Sequence, residues 1–357
     1  MRSANMTRIA AIRSALPPYR YRQAELTGAM AELSNVGPPQ RALLERLHAN
    51  AGVDTRHTVL PLAGYKGLDG FGPTNDLYIE HATDLGERAL DSALRAAGVA
   101  AHDLDLLIVT SVTGLAVPSL DARLIPRLGL RSDIKRVPIF GLGCVAGAAG
   151  LARLHDYLLG WPGHTAALLA VELCSLTVPA AGATTPDLVV SGLFGDGAVA
   201  VVARGEQAGA DAGGPRVIAS RSEVYPDTGD VLAWRLGSAG FRIVLTAELA
   251  SVVGRHLRQD VSAFLAARGL TIGDITSWVC HPGGPKVIDA VEQGLGLPAD
   301  ALEVTRRSLA EVGNMSSASI LHVLQQTIDT ARPPPGSPGM LIGLGPGVSV
   351  ELILLQW

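Results

Sequence analysis

"FGLGCVAGAAG", residues 140–150, sets one cysteine among glycines and alanines, just ahead of a helical stretch, "AGAAGLARLHDYLL" (146–159). So little side chain around one sulfur has two uses: backbones pack closely there, or a ligand reaches Cys144. Two later stretches bear on the choice, "CHPGGPK" (280–286) and "GNMSSAS" (313–319).

Working outward, buried strands alternate with helices. "HATDLGERALDSALRAAG" (81–98) has helical spacing and stops at Gly98. "LDLLIVTS" (104–111), "RVPIF" (136–140) and "TAALLAVEL" (165–173) are predicted buried strands, and "FGDGAVAVVA" (194–203) is a glycine turn followed by another. The polar, glycine-rich "RGEQAGADAGGPR" (204–216) is the predicted linker. After it the grammar repeats. "FLAARGLTIGDITSWVC" (264–280) resembles "SALRAAGVAAHDLDLLIVT" (92–110), and "GNMSSASILHVLQQTI" (313–328) stands where the cysteine turn and its helix stood. "IGLGPGVSVELILL" (342–355) stands where "LFGDGAVAVVA" (193–203) stood. The interval from Val109 to Val279 is 170 residues, as is that from Cys144 to Asn314; from Gly195 to Gly345 it is 150. Three ordered matches predict a duplicated α/β unit, with halves at residues 1–205 and 206–357. Mixed sheets covered on both faces give five layers, α/β/α/β/α.

Bulk properties agree with a globular chain and exclude other classes. Of 357 residues, 48% are hydrophobic and 17% charged, enough for a large core. A net charge of −4 with scattered basic residues gives no footprint for nucleic acid. Cys144, Cys174 and Cys280 form no CxxC pair. Arg8 and Arg13 interrupt any secretory h-region, and no apolar run reaches the ~18 residues of a membrane span. These features predict reduced thiols and a cytoplasmic protein with no membrane span.

Duplication changes the reading of the cysteine. Cys144 and Asn314 become equivalent helix starts, and His281 follows the strand "SWVC". A helix N-terminus and an imidazolium both favour thiolate, so the Cys144 pKa is expected to be lowered. Gly143, Ala146 and Gly147 would let an acyl thioester approach the sulfur. His281 and Asn314 offer N–H donors that can form an oxyanion hole for an enolate. One nucleophile and two donors suffice for decarboxylative Claisen condensation, with no metal or organic cofactor. Each residue has a plainer reading alone: Cys144 as a packed thiol, His281 as a capping or core histidine, Asn314 as a helix cap, and "GLGPG" as a hairpin turn. Their joint placement favours the functional one.

"GCVAGAAG", "WVCHPGGPKVIDAVE", "GNMSSASIL" and "GLGPGVSVE" together resemble the type III polyketide synthases, the chalcone synthase-like branch of the thiolase superfamily. The resemblance runs from about residue 7 to residue 357. It implies the duplicated thiolase fold, a homodimer, and a catalytic triad at Cys144, His281 and Asn314. Cys144 would accept an acyl-CoA starter. His281 and Asn314 would hold the malonyl- or methylmalonyl-CoA extender through decarboxylation, and repeated condensation would build a chain that cyclises in place. By motif match, Phe194 and Phe241 would flank the cavity entry, and Cys174, Thr177, Ser316, Val112 and Gly345 would line it. "GLAVPS" (114–119) matches the loop that crosses the dimer interface, with Val117 where plant members carry methionine. Arg56 and Lys286 are candidate cations for coenzyme A. "LPPYRYRQAEL" (16–26) and "VYPDTGDVLAWRLGSAGFRIVL" (224–245) resemble bacterial members that take long fatty acyl starters to alkylresorcinols or alkylpyrones. Two competing functions share parts of this pattern. A ketoacyl synthase III-like enzyme condenses once, on an acyl carrier protein. A non-catalytic thiolase-fold binding protein would merely bury the cysteine.

Overall fold

The computed structural model describes residues 6–34, 37–68, 70–178, 184–209, 213–237 and 240–357. The first half contains β1 (Thr7–Ala15), β2 (Tyr19–Arg22), α1 (Gln23–Leu33), α2 (Pro38–Ala49), β3 (Thr55–Thr58), α3 (Phe71–Ala97), β4 (Leu106–Thr110), α4 (Leu120–Leu128), β5 (Lys135–Ile139), α5 (Ala146–Gly160), β6 (Thr165–Leu173), α6 (Thr185–Leu193) and β7 (Asp196–Gly205). The second contains β8 (Arg216–Val224), β9 (Leu232–Gly237), β10 (Gly240–Leu245), α7 (Leu249–Ala266), β11 (Ser277–Cys280), α8 (Pro285–Leu295), α9 (Glu303–Val312), α10 (Ser317–Thr330), β12 (Pro338–Gly345) and β13 (Ser349–Gln356). Residues 210–212 of the predicted linker lie outside the described residues.

Strand order carries the duplication. The main sheet runs β11-β12-β13-β8-β1-β7-β6-β4-β5. In one half β4 is parallel to β6, while β6–β7 and β7–β1 are antiparallel. In the other, β11 is parallel to β12, while β12–β13 and β13–β8 are antiparallel. The halves join edge to edge through Thr7↔Val217 and Arg8↔Arg216.

The five layers follow from alternation along the strands. On β4, β6 and β7, residues such as Leu107, Leu169 and Ala200 pack outward on α3 and α4. Their neighbours Ile108, Leu168 and Val201 pack inward on α5 and α10, as do Leu341 and Ile353 from the second half. The other face of the second half, with Met340, Ile342 and Leu352, packs on α7 and α8. Strand β6 is buried at all nine positions, so it reads as a run of apolar residues broken within the strand only by Glu172. Helix α3 ends where Gly98 takes a left-handed φ of 61°, as expected, but starts earlier, at Phe71. Strand β5 corrects an expectation: it is the sheet edge, and its first four residues are exposed rather than buried.

The opening stretch serves helix packing first. A Cβ on Gly147 would lie 2.1 Å from the Ser317 carbonyl oxygen, so α10 occupies the space a side chain would need. Gly147 is therefore not room for a substrate. It allows α5 and α10 to approach until their starting turns meet.

Candidate active site

Cys144 lies in a 3₁₀ turn, Gly143–Val145, that leads into α5, and Gly143 takes a φ of 54°. Asn314 and Ser316 lie in the turn that leads into α10. Cys144 is two residues ahead of α5 and Asn314 three ahead of α10, so the equivalence read from spacing is loose by one residue. The Cys144 Sγ–H donates to Ser316 Oγ at 3.6 Å. Ser316 has φ 49° and ψ −124°, a backbone state that a non-glycine residue keeps only where its surroundings enforce it.

Asn314 is held at both backbone groups. Its N–H donates to Leu193 O at 2.9 Å, and its carbonyl accepts from Gly195 N–H at 3.0 Å, which pairs Phe194 with Asn314 across the two halves. Its side-chain Oδ1 accepts from Ser316 N–H at 2.8 Å and from the Ser319 hydroxyl at 3.3 Å. A backbone N–H can only donate, so the oxygen end of the amide is assigned and the NH₂ end must point elsewhere.

His281 follows β11. Its backbone N–H donates to Ile342 O at 3.0 Å, and its carbonyl accepts from Gly283 N–H at 2.9 Å. The ring is buried, and Nδ1 has no hydrogen-bond partner. Nothing bonded to Nδ1 therefore sets its tautomer.

The electrostatics overturn one expectation. Burial pushes the Cys144 thiol up to about 12, with the hydrogen bond to Ser316 opposing and the Glu172 charge adding to the rise. Burial alone takes His281 down to about 3. Both shifts run against the thiolate and imidazolium expected from the sequence, because burial disfavours the charged form of each group.

Glu172, absent from the residues singled out above, lies beneath the cysteine. It is fully buried, and its carboxylate accepts from Val112 N–H at 3.1 Å, Thr113 Oγ1 at 3.0 Å and Ser317 Oγ at 2.5 Å. Burial raises its pKa, and the hydrogen bond from Ser317 is the largest opposing effect. The signal was visible as the one charged residue in "TAALLAVEL".

The other expected residues divide. Phe194 and Cys174 share a core cluster with Cys144. Thr177 is half-buried and donates to Cys174 O at 2.8 Å. Val112 is buried and reaches this region through its backbone N–H. Gly345 faces backbone: a Cβ there would lie 2.7 Å from Val145 N. Phe241 is buried on β10. It joins an aromatic group with Phe71 at 5.6 Å, Phe140 at 6.3 Å and Trp234 at 6.4 Å, while Ile243, two residues on, joins the Cys144 cluster. Val117 is 95% exposed in the single chain. Arg56 is also corrected: it is buried, with Nη1 donating to Phe194 O at 2.6 Å and Nη2 to Gln23 Oε1 at 3.0 Å, so it offers coenzyme A no surface charge. Lys286 is exposed in the first turn of α8.

Five histidines whose pKa burial lowers make stability depend on pH, and in three of them the shift is large. Burial lowers His48 to about 4, His281 to about 3 and His322 to about 4. As pH falls below about 6.5, the unfolded chain binds protons that the folded chain does not, so stability falls. Asp196, raised by burial to about 6, acts in the opposite sense below pH 6. Denaturant melts should show lower stability at pH 5 than at pH 7. His322→Gln should reduce the slope by up to one proton, about 1.4 kcal/mol per pH unit. An unchanged slope would show that His322 is not held neutral.

Comparison with known proteins adds the following. Family models described as "Chalcone and stilbene synthases" match residues 1–207 (N-terminal domain) and 216–357 (C-terminal domain). A 1,3,6,8-tetrahydroxynaphthalene synthase of Streptomyces peucetius subsp. caesius is 54% identical over 98% of this chain and 93% of its own. A 3,5-dihydroxyphenylacetyl-CoA synthase of Amycolatopsis orientalis is 33% identical over 99% of this chain and 94% of its own. The crystal structure of the 1,3,6,8-tetrahydroxynaphthalene synthase of Streptomyces coelicolor A3(2), a bacterial type III polyketide synthase, superposes with a TM-score of 0.92 at 30% identity, covering 98% of this chain and 99% of that one. Among the described residues, no helix is long and apolar enough to cross a membrane.

Proposed function

Because the chain belongs to the chalcone and stilbene synthase family and is a type III polyketide synthase of thiolase-like fold, acting on coenzyme A thioesters, we propose the following division of labour. Cys144 Sγ attacks the starter thioester carbonyl. Its proton passes to His281 Nε2 and then to the departing coenzyme A sulfur. The malonyl thioester oxygen then sits between the Asn314 amide and His281 Nε2–H. As the carboxylate carbon–carbon bond breaks, CO₂ leaves and its electron pair becomes the enolate that these donors stabilise. The enolate carbon attacks acyl-Cys144, and the sulfur leaves as the nucleophile for the next round. No separate cofactor is required. The observation that carries this reading is the Asn314 amide, locked by its oxygen beside Ser316, the hydrogen-bond partner of Cys144.

The product is proposed to be a polyhydroxylated arene built from malonyl units. The 54%-identical relative makes a naphthalene whose ten ring carbons, alternately oxygenated, equal five two-carbon units, with nothing left over for a fatty starter. A fatty acyl starter leading to an alkylresorcinol or alkylpyrone is the second reading. An apolar pocket favours it, bounded by Phe194 and by Leu26, Met30, Leu33, Leu62 and Leu68. A homodimer is also proposed, because β5 is an exposed sheet edge flanked by exposed Val117, Val137, Phe140 and Leu142.

Mass spectrometry of products from malonyl-CoA alone, and from malonyl- or methylmalonyl-CoA with octanoyl- or palmitoyl-CoA, tests the readings. Malonyl-CoA alone should yield tetrahydroxynaphthalene. Product only with a fatty starter, at resorcinol or pyrone mass, would replace the first reading with the second. A single β-ketoacyl product, made only with a carrier protein, would overturn both.

A further inference from the structure

Arg56 lies on β3, buried at 4% exposure, beneath the pairing that holds Asn314. The Phe194 N–H is taken by Val190 O at 3.0 Å, at the end of α6. The Phe194 carbonyl receives Arg56 Nη1 at 2.6 Å. The other arm of the guanidinium reaches Gln23 Oε1 at 3.0 Å, and Gln23 Nε2 donates to Gly192 O at 2.7 Å. One fork thus grips residues 192–194 twice, directly and through Gln23. The arginine stem lies against both partners of the pairing: a Cβ on Gly195 would sit 3.6 Å from Arg56 Cβ, and one on Gly313 2.8 Å from Arg56 Cδ. Burial lowers the Arg56 pKa and the Asp196 carboxylate, which Val59 N–H and Ser175 hold in place, opposes that fall.

We infer that Arg56 is a positioning residue: through the Phe194 carbonyl it fixes the strand paired with Asn314, and so fixes where the Asn314 amide points. The inference rests on the reading of Asn314 as an enolate donor. It predicts that Arg56 matters to decarboxylation, which uses that amide, and not to starter loading, which uses Cys144. An arginine that merely stabilises the fold would affect both equally. Arg56→Met removes the fork and the charge. Arg56→Lys keeps a cation but offers a single ammonium in place of the planar fork. Asp196→Asn alters the buried pair and leaves the bond to Phe194.

Two rates, each divided by the folded fraction from circular dichroism, are measured for wild type and the three variants. One is acylation of Cys144 by starter-CoA, followed by intact-protein mass spectrometry. The other is conversion of malonyl-CoA to acetyl-CoA. In Arg56→Met the ratio of decarboxylation to loading should fall by roughly tenfold or more, the scale of a donor misplaced by a fraction of an ångström to one ångström. Arg56→Lys should lie between Arg56→Met and wild type, and Asp196→Asn should keep the wild-type ratio. If both rates fall in proportion, or if Asp196→Asn lowers the ratio as far as Arg56→Met does, the inference is overturned. Should Arg56→Met fail to fold, Arg56→Lys decides: an unchanged ratio overturns it. A wild-type protein that neither loads nor decarboxylates would instead sink the proposed function.

Discussion

Cys144→Ala should abolish acyl loading and lower product formation on the order of 10⁴-fold or more, since no other group in the turn can form the thioester. Malonyl-CoA decarboxylation should persist, because the proposed donors, Asn314 and His281, are untouched. The fold should persist too. One buried sulfur is lost from a turn otherwise made of backbone and small side chains, a cost of about 1 kcal/mol. Intact-protein mass after incubation with starter-CoA reads loading, and acetyl-CoA formation reads decarboxylation. Retained condensation in the variant would remove Cys144 from the mechanism. Loss of decarboxylation in a folded variant would show that the sulfur itself helps to place the extender.

Asn314→Ala should lower decarboxylation by about 10²–10³-fold, the usual effect of removing one oxyanion donor. The alanine variant confounds two losses, because Oδ1 also anchors Ser316 N–H and the Ser319 hydroxyl. Asn314→Asp separates them. It keeps an acceptor for both anchors and replaces the donor with a second oxygen that repels an enolate. Its activity should fall at least as far as that of the alanine variant, while starter loading at Cys144 stays near wild type. If Asn314→Asp decarboxylates normally, the anchoring turn matters and the amide donor does not.

The duplication was legible because it repeats whole elements. "LDLLIVTS" and "SWVC" became β4 and β11, which hold matching places in the two half-sheets. The turns that carry Cys144 and Asn314 were legible because small residues and short motifs mark the two helix starts. What was hidden depends on three-dimensional surroundings. Burial shifts Cys144 and His281 away from the expected ionisation, and no sequence spacing carries desolvation. "RVPIF" reads as apolar, yet nothing in it says that β5 ends the sheet. Phe241 and Ile243 are two residues apart and so share one face of β10, and only tertiary packing decides that Ile243 joins the Cys144 cluster. Arg56 looked like a surface cation because its buried counter-charge, Asp196, lies far along the chain.

The central layer has a consequence for how the protein is made. Helix α5 buries ten residues, among them Ala148, Leu151 and Leu154, in a core that also contains Ala318, Ile320, Leu321 and Val323 of α10. During synthesis α5 leaves the ribosome long before α10 exists, so the first half waits with an apolar helix face uncovered. Contacts this distant in sequence slow folding and expose the waiting chain to aggregation. The central contact between α5 and α10 therefore forms only after most of the chain has been made.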